Sequence, residues 1–163
     1  NNGFVNVGIS HDTAEFAVES IKQWWKNIGK RNYPKAKELL ICSDSGGSNA
    51  NRSRLWKFYL KKFANKTKLK ITVCHFPPGT SKWNKIEHKM FSFISMNWKG
   101  KPLRSYEMIL NLIEGTKTKK GLRIKAKIDK NIYELKKKVS DEDFEKINLV
   151  RHKINPQWNY TIG

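Results

Sequence analysis

Residues 37–47 read KELLICSDSGG. Leu39, Leu40, Ile41 and Cys42 form an unbroken apolar run, and Gly46 and Gly47 close it. A short apolar run ended by a turn signal is the pattern of a parallel strand buried on both faces by crossover helices. That reading commits the chain to an α/β architecture. It also puts Asp44 at the carboxyl end of the strand, where open α/β sheets bind their ligands.

The flanking sequence alternates strand and helix signals. Upstream, GFVNVGIS (3–10) alternates like a strand, and HDTAEFAVESIKQWWKNIG (11–29) carries Ala14, Ala17, Ile21, Trp24 and Ile28 at helical spacing. Asp12 with Glu15 approximates a capping box, and Gly29 marks the expected stop. Downstream, NRSRLWKFYLKKFANKT (51–67) reads as a helix with Leu55, Trp56, Tyr59 and Phe63 inward. LKITVCHF (69–76) reads as a strand halted by Pro77-Pro78-Gly79, and a third helix is expected from about Ser81 to Trp98. Beyond Pro102 come a helix from Ser105, an edge-strand-like LRIKAKID (122–129) and a helix start at Ser140.

The 163 residues suffice for one domain with a real core, and 6 Trp, 5 Tyr and 8 Phe supply much of it. Net charge is +19, which points to nucleic acid or, less often, an anionic membrane as partner. No apolar run approaches the roughly 20 residues of a spanning helix, and no signal peptide is evident. A cytoplasmic protein without membrane contact is the expectation. Cys42 and Cys74 lie in apolar strand-like runs and read as buried structural thiols, since the four histidines give no zinc-ligand spacing with them.

Glu87 is the second acid of interest. On a wheel of about 100° per residue, Trp83, Ile86, Met90, Phe93, Ile94 and Asn97 share one side of the third helix. Lys82, Lys85 and Lys89 lie nearly opposite Glu87, and no lysine stands at ion-pair spacing from it. Glu87 is therefore expected on the apolar edge, where a carboxylate needs a cation or a buried donor. A core salt bridge with a distant arginine would meet that need; so would a catalytic role. Asp44 has its own ordinary reading, a turn former at a strand end. Together the two acids suit phosphodiester chemistry, which often uses two divalent ions about 3.5–4 Å apart held by hard oxygen ligands.

The stretches LLICSDSGGSNANRSRLWK and HFPPGTSKWNKIEHKMFSFISMNWKGKPL resemble the regions around the last two acids of a DDE transposase, narrowly the ISAzo-type (Rhodopirellula-type) insertion-sequence family. HDTAEFAVESIKQWW and the closing WNY are also similar to that family, so the resemblance spans nearly the whole chain. It implies an α/β, RNase H-like fold, two Mg²⁺ (or Mn²⁺) ions, cleavage of element ends and strand transfer into target DNA. Asp44 and Glu87 would be catalytic metal ligands, and Glu87 would face inward beside the metals. Residues 1–104 would form the catalytic core and 105–163 a helix/strand extension packed on it. The family's first Asp has no match here, so the first two strands are expected upstream of Asn1, and a chain with two of three ligands is expected to be inactive alone. Asp12, the only acid before the first helix, reads as its cap.

Arg52, Arg54, Lys57 and Lys61 around the second helix, with Lys82, Lys85 and Lys89 on the third, form the expected DNA-contacting surface. Lysine-dominated contacts hold phosphates with little base readout. Trp83 and Trp98 could stack on a base, though such aromatics are more often core. Bringing two element ends together implies a homo-oligomer. The competing readings are a non-catalytic DNA-binding relic of such an enzyme and an RNA-associated basic protein.

Overall fold

The computed structural model of the chain describes residues 1–77 and 79–163. Pro78, part of the expected strand stop, lies outside the described residues. The chain forms two compact units, each assembled from separated segments: Asn1–Ser10 with Lys82–Ile132, and His11–Ser81 with Tyr133–Gly163.

The second of these holds a four-stranded mixed sheet in the order β2-β3-β6-β5. Strands β2 (Glu38–Ser43) and β3 (Lys70–His75) run parallel, with Cys42 opposite Cys74 and Ser43 opposite His75. β6 (Asn159–Ile162) runs antiparallel to β3, and β5 (Leu149–Arg151) antiparallel to β6. The sequence pattern did not expose β5 and β6, whose few residues are too short for a clear alternation.

Period-two alternation places Ile71, Val73 and His75 of β3 on one face with Tyr160 and Ile162 of β6, all buried. Helix α3 (Arg54–Thr67) presents Trp56, Leu60, Phe63 and Ala64 to the same core, and α1 (Ala14–Trp24) adds Ala14 and Val18. Each large side chain so buried contributes about 1.5–3 kcal/mol. Ser53 caps α3, its hydroxyl accepting from the Trp56 N–H at 3.2 Å.

β2 does not have two buried faces. It is the edge of the sheet, and Glu38, Leu40 and Cys42 are exposed while Leu39, Ile41 and Ser43 are half-buried. Leu40 retains 60 % of its surface. Cys42 is likewise exposed and Cys74 half-buried, so neither thiol is the fully buried hydrophobe expected. The apolar run fits either placement; which face is covered depends on what packs there.

The first helix starts and ends differently from expectation. Thr13, not Asp12, caps it, accepting from the Phe16 N–H at 3.2 Å. Gly29 is no stop either: helical structure continues through a π segment (Trp25–Gly29) into α2 (Lys30–Asn32). A Cβ on Gly29 would lie 2.4 Å from the Trp25 ring, so glycine is there to admit the indole.

In the other unit β1 (Asn2–Gly8) pairs in parallel with β4 (Arg123–Asp129), from Asn2 opposite Arg123 to Gly8 opposite Asp129. This two-stranded sheet is separate from the one containing β2. Met90, Ile94, Ile113, Leu122 and Ile124 form its core, contributed partly by α4 (Ser92–Trp98) and α5 (Tyr106–Glu114). Ser105 caps α5, and in the unit that holds β2 Ser140 caps α6 (Asp141–Glu145), both as their sequences indicate.

The expected continuous helix from Ser81 to Trp98 is broken into a 3₁₀ turn (Ser81–Trp83), a π segment (Glu87–Phe91) and α4. A π turn bonds i to i+5, so it slips the faces by about one residue, about 100° on a wheel. The inward prediction holds for Met90 and Ile94, which are buried, but fails for Trp83 and Ile86, which are 55 % and 45 % exposed.

Candidate functional site

Asp44 is the first residue beyond β2, and its carboxylate is exposed. Three bonds fix the backbone around it. The Phe76 N–H donates to the Ser43 carbonyl at 2.7 Å, and His75 Nδ1 lies 3.0 Å from the Asp44 carbonyl and 3.2 Å from Ser43 Oγ. Asn49 Nδ2 donates to Asp44 Oδ1 at 3.1 Å. Among the described residues Oδ2 accepts no hydrogen bond, which leaves a hard oxygen open to solvent.

The loop after Asp44 turns tightly, with Gly47 at φ 58, a left-handed value that favours glycine. Asp12 stands beside it, its Oδ2 3.8 Å from where a Cβ on Gly47 would lie. Further along, the Asn51 N–H donates to Ser45 Oγ at 3.4 Å and its amide to the Gln157 carbonyl at 3.3 Å. Lys57 Nζ donates to the Asn51 carbonyl at 2.5 Å and lies 5.3 Å from the Tyr160 ring centre.

Lys57 is only 4 % exposed, so this amine is turned inward and is not part of an open phosphate-contacting face as the helical spacing suggested. Burial lowers its pKa to about 8, and the Arg151 charge pushes the same way. Behind the loop His75 Nε2 is 3.0 Å from the Tyr160 hydroxyl, which accepts from Trp56 Nε1 at 2.9 Å. Burial holds the His75 pKa below its ordinary value despite the bond to Asp44, and burial raises the Tyr160 phenol. The imidazole is thus neutral and the phenol protonated at neutral pH.

The other expected site residues are distributed as follows. Arg52 is exposed. Arg54 is engaged, its guanidinium 2.7 Å from Asp141 Oδ1 and 4.4 Å over the Phe144 ring. Lys61 is half-buried, and Lys82, Lys85 and Lys89 are exposed.

Glu87, in the unit built on β1 and β4, opens the π segment, and its N–H donates to the Asn84 carbonyl at 3.1 Å. Its side chain is exposed rather than inward, because the 3₁₀ turn before it and the π segment it opens displace it from the face that Met90 and Ile94 bury.

His75 and Tyr160 are the functional candidates that sequence patterning passed over. Each sits at a position whose strand alternation looks merely apolar. The available signal was a polar ring facing a core otherwise filled by Ile71 and Val73.

Among the described residues no three His, Cys, Asp or Glu side chains gather as a ready metal cage. Asp44 nonetheless fits a hard divalent cation as one ligand, since Oδ2 is open and Mg²⁺ commonly keeps several waters. No helix among the described residues is long and apolar enough to cross a membrane.

The chain is thus a mixed α/β domain of high positive charge with a strand-end carboxylate beside a glycine turn. The chain belongs to the Rhodopirellula transposase DDE domain family, whose model matches residues 1–163, the whole chain. The resemblance drawn from the two long motifs is thereby established. No curated protein and no solved structure matches the chain.

Proposed function

We propose that this domain takes part in DDE-type polynucleotidyl transfer: metal-dependent cleavage of transposon ends and their transfer into target DNA, on an RNase H-like framework. Family membership across the whole chain supports the reading, and the open Asp44 Oδ2 at a strand's carboxyl end is the observation that carries it. Asp44 and Glu87 are the proposed carboxylate ligands. When bound, the divalent ions would activate the attacking oxygen and stabilise the leaving one. The chain's own part is to present those carboxylates and to neutralise DNA phosphates through Arg52, Lys82, Lys85 and Lys89. The setting proposed is the bacterial cytoplasm, with a homo-oligomer holding two DNA ends.

Mn²⁺ titration tests the reading, with electron paramagnetic resonance following free ion. Loss of ion binding in both Asp44→Asn and Glu87→Gln supports it. Unchanged binding in both variants overturns it and leaves a basic DNA-binding domain whose acids are structural.

A further inference from the structure

One chain of hydrogen bonds in the Asp44 unit runs from the Trp56 indole through Tyr160 and His75 to the Asp44 backbone. An indole N–H can only donate, so Trp56 Nε1 donates to the Tyr160 oxygen at 2.9 Å. A carbonyl can only accept, so the 3.0 Å contact between His75 Nδ1 and the Asp44 oxygen is a hydrogen bond in the tautomer protonated at Nδ1, with Ser43 Oγ 3.2 Å from the same nitrogen. In that tautomer the Tyr160 O–H donates to His75 Nε2 at 3.0 Å. Trp56, His75 and Tyr160 retain 2 %, 5 % and 0 % of their surfaces. A buried donor left unmade is costly, so the relay has one favourable arrangement, and the backbone at Asp44 inherits it.

We propose that His75 is a positioning residue for Asp44: it fixes where the chain leaves β2 and so aims the Asp44 carboxylate at a divalent cation. This rests on the reading of Asp44 as a metal ligand. Lys57 holds the far end of the same loop through the Asn51 carbonyl, and its amine lies over the Tyr160 ring. Both ends of the loop are therefore referred to one buried phenol.

Two isosteres separate positioning from mere filling of the core. An asparagine amide sits near where Nδ1 lies, so His75→Asn keeps the donor to Asp44 and abandons Tyr160. A glutamine amide sits near where Nε2 lies, so His75→Gln does the reverse. The full chain is titrated with Mn²⁺, and paramagnetic broadening of the Ser45, Gly46 and Gly47 amide signals reports ion at Asp44. Chemical denaturation of each variant runs alongside. His75→Asn is expected to stay within about two-fold of the wild-type midpoint, and His75→Gln to need about ten-fold more Mn²⁺ or beyond, the range of outer-shell substitutions at metal sites.

Equal midpoints in wild type and His75→Gln overturn the proposal. Weakening in both variants that tracks their loss of stability overturns it too. Absence of broadening in the wild type overturns the metal reading itself, and the positioning role with it. Should either variant fail to fold, Tyr160→Phe removes only the hydroxyl that bonds Nε2. As with His75→Asn, the Nδ1 donor to Asp44 survives, so a Mn²⁺ midpoint within about two-fold of wild type supports the proposal and a rise of about ten-fold overturns it.

Discussion

His75 and Tyr160 meet ring edge to hydroxyl at 3.0 Å beneath the Asp44 loop, with Lys57 over the phenol face. Two proton-binding groups, an imidazole and an amine, are thereby kept out of water around one tyrosine. Their burial couples folding to pH in a direction that can be worked out.

The native His75 pKa lies below its ordinary 6.5, so between the two values the unfolded chain holds more protons. Stability through this group is complete above pH 6.5 and is lost as pH falls toward the native value. Lys57 behaves alike at higher pH: native about 8 against 10.5, so stability rises with pH above about 8. Tyr160, whose pKa is raised from 10.0, opposes this above pH 10. Urea denaturation at pH 8 and 9.5 is expected to show a gain in the wild type that Lys57→Met lacks. Equal slopes in the two proteins would contradict a buried charged amine.

Gly29→Ala decides between helix propensity and packing. Propensity alone favours alanine by about 1 kcal/mol. The added Cβ would fall 2.4 Å from the Trp25 ring, and such overpacking costs about 1–3 kcal/mol. Net destabilisation is expected by denaturant titration, with a change in tryptophan fluorescence as the indole shifts. A stabilised variant would show that the ring relocates freely.

The two thiols should react at different rates. Cys42 is exposed on the edge strand, while Cys74 is half-buried with its thiol pKa raised by burial and then by Cys42. The thiolate is the reactive form. An aromatic disulfide reagent is expected to label Cys42 first, and Cys42→Ser to abolish the fast phase. Equal rates would place Cys42 under cover.

DNA affinity is expected to fall steeply with salt, by a slope of about 0.9 per phosphate neutralised. Replacing Lys82, Lys85 and Lys89 together by alanine should lower that slope by up to about 2.7, measured by fluorescence anisotropy across a salt series. Lys57→Met should leave the slope unchanged, because its side chain is buried. A slope indifferent to the triple substitution would move the DNA to another face.

Local signals in the sequence were sufficient for some helix starts and not for the first helix, where Thr13 rather than Asp12 is the cap and Gly29 is no stop. Ser105 and Ser140 cap the helices they open, and the apolar spacing of α3 buries Trp56 and Phe63. The family motifs lie in the sequence itself, and so does the charge. Asp44 at a strand's end was legible because apolar run, acid and glycines are contiguous.

The tertiary structure decided what depends on partners far along the chain. Whether Leu40 and Cys42 are covered turns on what packs on their face of β2, and both are exposed. Glu87 left the expected face because the 3₁₀ and π turns changed the helical period around it, which a uniform wheel does not contain. His75 and Tyr160 are separated by 85 positions and are joined only because β3 and β6 lie side by side. Composition and spacing determine which segments form and which polymer the surface attracts. Burial and hydrogen-bond pairing are properties of neighbours in space, and they determine which polar groups are charged, aimed or held.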